Sequence, residues 1–125
     1  MNPADLHPIV ETAFNVGDVD ALLALYEPDA QLIGEDGAAA VGLAAIREVW
    51  SGFVALGGQI TLTTRYAAES GDLALLSNAW TFVMEGATAS AITAEVARRG
   101  DDGSWRYVID NPYGAPVLPA GRMGA

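Results

Sequence analysis

A chain of 125 residues, 51% of them hydrophobic and 18% charged, can bury one core and is too apolar for a disordered tail or solvated linker. Sixteen acidic residues against six basic ones give a formal charge of −10, which repels nucleic-acid phosphates and anionic membrane surfaces, so neither is expected as a partner. The basic residues are all arginines, which excludes lysine Schiff bases and a phosphate-loop lysine, and the absence of cysteine excludes disulfides, thiolate nucleophiles and cysteine metal sites.

Met1 to Asp5 lacks the basic region and long apolar run of a signal peptide, and no later stretch approaches membrane-spanning length. Cytoplasmic residence is the expectation. From Leu6, the positions Ile9, Val10, Ala13 and Phe14 recur at helical spacing and stop at Gly17, predicting a first helix. His7 reads as a surface residue of that helix, and as the only histidine it cannot build a multi-histidine metal site; no metal and no cofactor are expected. Asp18 caps a second helix whose stripe is Val19, Leu22, Leu23 and Tyr26, ending before Pro28.

A short apolar run at Gln31-Leu32-Ile33 and a turn at Glu35-Asp36-Gly37 precede a third helix. It starts near Gly42, buries Leu43, Ile46, Trp50, Phe53 and Val54, and ends at Gly57-Gly58. Turn signals at Ser70-Gly71-Asp72, Glu85-Gly86 and Asp101-Asp102-Gly103 then divide a meander into strands over about 59–69, 73–85, 88–99 and 104–111. Residues 1–114 are expected to form one domain, and 115–125, rich in proline and glycine, a loosely docked tail. Three helices before a meander make an α+β domain with the helices on one face of the sheet.

The stretches Val16-Gly17-Asp18-Val19-Asp20-Ala21-Leu22, Leu25-Tyr26-Glu27-Pro28-Asp29-Ala30, Gly42 with Ala45-Ile46-Arg47, Gly71-Asp72-Leu73-Ala74-Leu75 and Asp102-Gly103-Ser104-Trp105-Arg106 carry a resemblance. Across residues 6–114 the chain resembles the SnoaL-like branch of the nuclear transport factor 2-like superfamily, which includes ketosteroid isomerases and polyketide cyclases. The resemblance implies a cone, in which a strongly bent, mainly antiparallel (mixed) sheet wraps the helices and leaves an apolar pocket. It does not imply one reaction, because this cone hosts enzymes, binding modules and adaptors. Carried onto this chain, the carboxylate base of ketosteroid isomerases falls on Gly34, the first-helix tyrosine on Val10 and the protonated acid on Glu95. Only the last retains an acid, although Glu35 sits one residue from the base position.

If the last hairpin closes through Gly100 to Gly103, Glu95 faces Val108, with Arg106 and Asp110 as diagonal neighbours. One sheet face then gathers Thr93, Glu95, Arg106, Val108 and Asp110, to which the preceding strand adds Asn78, Trp80, Phe82 and Met84. With Phe14, this set is expected to bind a small, largely apolar molecule. Glu95, with Asp110 or Glu35, is the candidate for acid–base work on a carbonyl compound. Two readings of Glu95 stay open: a carboxylic acid in an apolar pocket that donates to a substrate carbonyl, or a structural cross-strand pair with Arg106, Asp110 capping the strand end. The non-catalytic alternative for the whole chain is a ligand-binding or dimerisation module. The opposite face, with Ile92, Val96, Trp105, Tyr107 and Ile109, is expected to form a homodimer interface.

Overall fold

The computed structural model describes residues 1–114; the predicted tail, 115–125, lies outside the described residues. After a 3-10 turn at Pro3–Asp5 come helices α1 (Leu6–Asn15) and α2 (Val19–Leu23), strands β1 (Tyr26–Ile33) and β2 (Ala39–Val41), and helix α3 (Leu43–Ala55). Strands β3 (Gln59–Ser70), β4 (Leu73–Met84), β5 (Ala87–Ile92), β6 (Ala94–Arg99) and β7 (Trp105–Asn111) complete the chain. No helix among them is long and apolar enough to cross a membrane.

The predicted helical stripes bury the side chains that make the core, except Ile9 and Leu43, which are exposed. Leu6, Val10, Ala13 and Phe14 of α1 meet Leu22 and Leu23 of α2 and Ile46 and Trp50 of α3 over the concave face of the sheet. Phe14 packs edge-on against both Trp50 and Phe82, with ring centroids 5.7 Å apart in each pair. Asp18 caps α2 as expected, its Oδ1 accepting from the Ala21 N–H at 3.0 Å.

Helix α2 is shorter than its pattern predicts, and Tyr26 is not part of it. The Leu25 carbonyl instead accepts the Tyr107 N–H at 2.7 Å, and Tyr26 pairs with Tyr107 in parallel strands. Pro28 falls in the irregular stretch between Tyr26 and Gln31, where its missing N–H costs no ladder bond. This crossover of β1 beside β7 makes the sheet mixed, in the order β2-β1-β7-β6-β4-β3, with β5 also on β4.

The predicted strand 88–99 is two strands. At Thr93 the side-chain hydroxyl, rather than the carbonyl, accepts the Asn78 N–H at 2.9 Å, while the Thr93 carbonyl takes the Ser77 hydroxyl at 2.6 Å. The register of β4 with its neighbour nevertheless runs on across the break, from Ala79↔Ile92 to Leu76↔Glu95.

The last hairpin corrects the expected register twice. Gly100 and Ser104 close it, the Gly100 N–H reaching the Ser104 carbonyl at 2.8 Å, so the loop holds Asp101, Asp102 and Gly103. Gly103 takes φ +81°, the left-handed conformation that completes such a three-residue loop. That one-residue slip turns Trp105 and Tyr107 inward, where both are buried, and removes them from the expected outer interface. An irregularity between Val96 and Ala97 then absorbs one more residue of β7 and pairs Glu95 directly with Asp110, not with Val108. Ile92 and Ile109 remain exposed on the outside, and Val96 is half-buried.

Candidate acid–base site

A cavity of about 350 Å³ lies between α1, α3 and the sheet. Its wall is largely apolar, formed by Val10, Phe14, Trp50, Trp80, Phe82 and Met84 among others. Into it face Glu95 and Asp110, both buried and paired across β6 and β7, with Asn78 and Tyr107 beside them.

The two carboxyls have different partners. Glu95 Oε1 lies 2.6 Å from His7 Nε2, and Glu95 Oε2 accepts from Asn78 Nδ2 at 2.9 Å. Asp110 Oδ2 accepts from the Tyr26 hydroxyl at 2.5 Å, and that hydroxyl accepts from Trp50 Nε1 at 3.1 Å. Burial, followed by the charge of Glu95, pushes the Asp110 carboxyl from 3.8 up to about 8, against the pull of the Tyr26 hydrogen bond. Burial likewise holds the Tyr107 hydroxyl well above its usual value, with Glu95 and Asp110 adding to the effect. Asn78 Oδ1 is buried with no hydrogen-bond partner among the described residues, because its amide is turned to point Nδ2 at Glu95. Among the described residues, no three His, Asp or Glu side chains gather to hold a metal ion.

The model of a family described as a SnoaL-like domain matches residues 9–108. The chain belongs to this SnoaL-like family. Solved structures share the fold of this SnoaL-like domain. A ketosteroid isomerase-like protein from Erwinia carotovora atroseptica is 26% identical, with 80% of this chain and 83% of that one covered at a TM-score of 0.62. An NTF-2 like protein of unknown function from Shewanella oneidensis MR-1 is 20% identical, covering 86% and 93% at 0.76. A protein of unknown function with a cystatin-like fold from Nostoc punctiforme is 22% identical, covering 93% and 90% at 0.77. No curated protein sequence matches that of this SnoaL-like chain.

Within the SnoaL-like cone, the structure brings together Glu95, Asp110, Asn78, Trp80, Phe82, Met84, Thr93 and Phe14 as lining residues. Val108 is not among them: it falls where the register shifts, and Tyr107 lines the cavity in its place. Glu35 sits at the rim with an exposed side chain, and its charge helps raise the Tyr113 hydroxyl, behind the larger effect of burial. The proposed Glu95–Arg106 pair does not form, since Arg106 turns outward to Asp102 at 3.5 Å. Nor does Asp110 cap a strand end; it is held inside by Tyr26.

Gly34 and Val10, onto which the resemblance carries the base and the tyrosine of ketosteroid isomerases, both line the cavity of this SnoaL-like domain. A Cβ at Gly34 would meet Asp36 Oδ1 at 3.0 Å and the Ala38 carbonyl at 3.3 Å, so the turn leaves little room for a side chain there. Sequence reasoning missed His7, Tyr26 and Tyr107. His7 carried a usable signal, for it precedes Val10 by three and Phe14 by seven positions and so shares their buried stripe. Tyr26 carried none, its partner lying 84 positions away.

Proposed function

We propose that the cavity takes a small, largely apolar molecule bearing a carbonyl and moves a proton on it without a cofactor, Asp110 serving as donor and Glu95 as acceptor. The observation that carries this reading is the pairing of two buried carboxyls with unlike partners at one apolar wall. Asp110, raised to about 8, keeps its proton at neutral pH and offers it to the carbonyl oxygen. Glu95 then takes a proton from the carbon beside the carbonyl, and the negative charge that develops on oxygen is held by the Asp110 hydrogen bond. Returning that proton to a different carbon completes an isomerisation. The ketosteroid isomerase-like neighbour supports the reaction class, and the cavity is at the small end of the usual range, suited to a bicyclic ketone.

Trp50 and Trp80 line the cavity, so binding is readable by their fluorescence. 1-Tetralone is expected to bind at pH 6 about fivefold to tenfold more tightly than tetralin, the contribution of one net hydrogen bond. The advantage disappears by pH 9, when Asp110 has lost its proton. A ketone preference that ignores pH would refute Asp110 as the donor. Binding of both compounds with no proton transfer would make the chain a ligand-binding module instead.

We also propose a homodimer through the outer sheet face. Leu75, Val96 and Ile109 form one row across β4, β6 and β7, and Leu75 and Ile109 are exposed. Trp105 and Tyr107 take no part in it.

A further inference from the structure

Glu95 is 2% exposed, and a ligand in the cavity would cover the face that it turns to the lining. Its proton nevertheless has a second route. His7 lies behind Glu95 on α1, 1% exposed, and is not part of the cavity wall. Its Nε2 is 2.6 Å from Glu95 Oε1, and its Nδ1 is 2.6 Å from Thr64 Oγ1. Thr64 faces inward from β3, paired with Asn78, yet β3 is the last strand of the sheet and Thr64 is exposed at that edge. The strand register shifts immediately after it, at Arg65, whose Nη1 turns to Ser77 Oγ at 3.5 Å. A continuous row of hydrogen-bonding groups therefore runs from the buried carboxyl to the exposed Thr64, through residues that do not line the cavity.

We infer that His7 and Thr64 form a proton path through which Glu95 releases a proton to water, or takes one up, while the cavity is occupied. Outward, the Glu95 proton moves from Oε1 to Nε2, the Nδ1 proton moves to Thr64 Oγ1, and the threonine hydroxyl proton moves to water. Each outward pass leaves the Glu95 carboxylate facing an Nε2–H imidazole and one proton in water; the inward pass takes one proton from water and restores the starting tautomer, so protons and charge balance in each direction. His7 and Thr64 are positioning residues; neither touches the ligand. The groups facing this path are Glu95 and, beyond it, Asp110 and Tyr107. The inference rests on the reading of Glu95 as the proton acceptor.

His7 is the only histidine, so labelling with [15N]histidine gives the ring signals of one residue, and their exchange with water can be measured without any turnover. In Thr64→Val, the ring N–H is expected to exchange about tenfold more slowly, the factor for one lost hydrogen bond, and Thr64→Ser is expected to restore the rate. A purely structural hydrogen bond predicts the opposite, because removing a cap from Nδ1 exposes the ring and speeds exchange. Unchanged or faster exchange in Thr64→Val overturns the path, as does equal slowing in Thr64→Ser. Failure here leaves the proton chemistry of Glu95 on a ketone to be judged separately, since that is read from the substrate.

Discussion

Replacing Asp110 by asparagine should make the protein more stable, by an amount that grows with pH. The native state holds the Asp110 proton up to about pH 8, whereas in the unfolded chain the carboxyl loses it near its ordinary value of 3.8. Between these values the folded protein binds one more proton than the unfolded one, so stability falls as pH rises, by about 1.4 kcal/mol per unit. This contribution is fully present below the unfolded value and lost by the time pH passes the folded one. Asp110 is buried, so little solvent screening reduces the effect. An asparagine has no proton to lose, and its side-chain oxygen still accepts from the Tyr26 hydroxyl. Urea unfolding of both proteins at pH 5, 6, 7 and 8 should therefore show the variant gaining on the wild type, by about 4 kcal/mol in total across that span. Carboxylates elsewhere contribute equally to both proteins and cancel. The difference belongs to the Glu95–Asp110 pair as a unit, because the charge of Glu95 is part of its cause. Parallel stability profiles would refute the claim that Asp110 stays protonated at neutral pH.

Three further outcomes follow from named contacts. Tyr26→Phe removes the donor to Asp110 and the acceptor of Trp50 Nε1, and should cost about 1–3 kcal/mol in urea unfolding while moving the Asp110 titration upward; a cost near zero would mean the two hydrogen bonds are not made. Trp105→Ala should cost about 3–5 kcal/mol, as for a core aromatic, and leave the oligomeric state unchanged in light scattering; a loss of association without a loss of stability would put Trp105 back on an interface. Leu75→Glu combined with Ile109→Glu should convert the proposed dimer into a particle of monomer mass, and an unaltered mass would remove the outer face from consideration.

Much of the fold was legible because its signals are local. The stripes of α1 and α3, the cap at Asp18 and the turns at Gly71, Gly86 and Gly103 each depend on a few neighbouring residues. The site was legible only in part. Alternation put Asn78, Trp80, Phe82 and Met84 on one face of their strand, and an assumed pairing brought Glu95 and Asp110 to it; Asp110 stayed there because two one-residue shifts of register preserve the face. What alternation cannot supply is the position of a bulge. The three-residue loop after Gly100 and the register shift beyond Val96 each change which side chain faces inward, so Tyr107 replaced Val108 in the wall while Asp110 kept its place. Tyr26 was lost for a different reason: α2 gives way to a strand because a parallel partner distant in sequence claims the Leu25 carbonyl. His7 was readable from its spacing, but its polarity argued for the surface until Thr64 and Glu95 supplied partners for both ring nitrogens.

The most direct test of the proton chemistry is deuterium exchange at the carbon next to the carbonyl of 1-tetralone, followed by proton NMR in D2O with wild type and Glu95→Gln. The substitution should leave the fold intact, because the new amide can still accept from His7 and can donate to Asn78 Oδ1 once that amide turns. Wild type is predicted to exchange the position faster than buffer, and Glu95→Gln to lose about 10²–10⁴ of that rate with little change in Tm. Exchange at the buffer rate with wild type, or an equal rate with Glu95→Gln, would contradict the assignment of Glu95 as the proton acceptor.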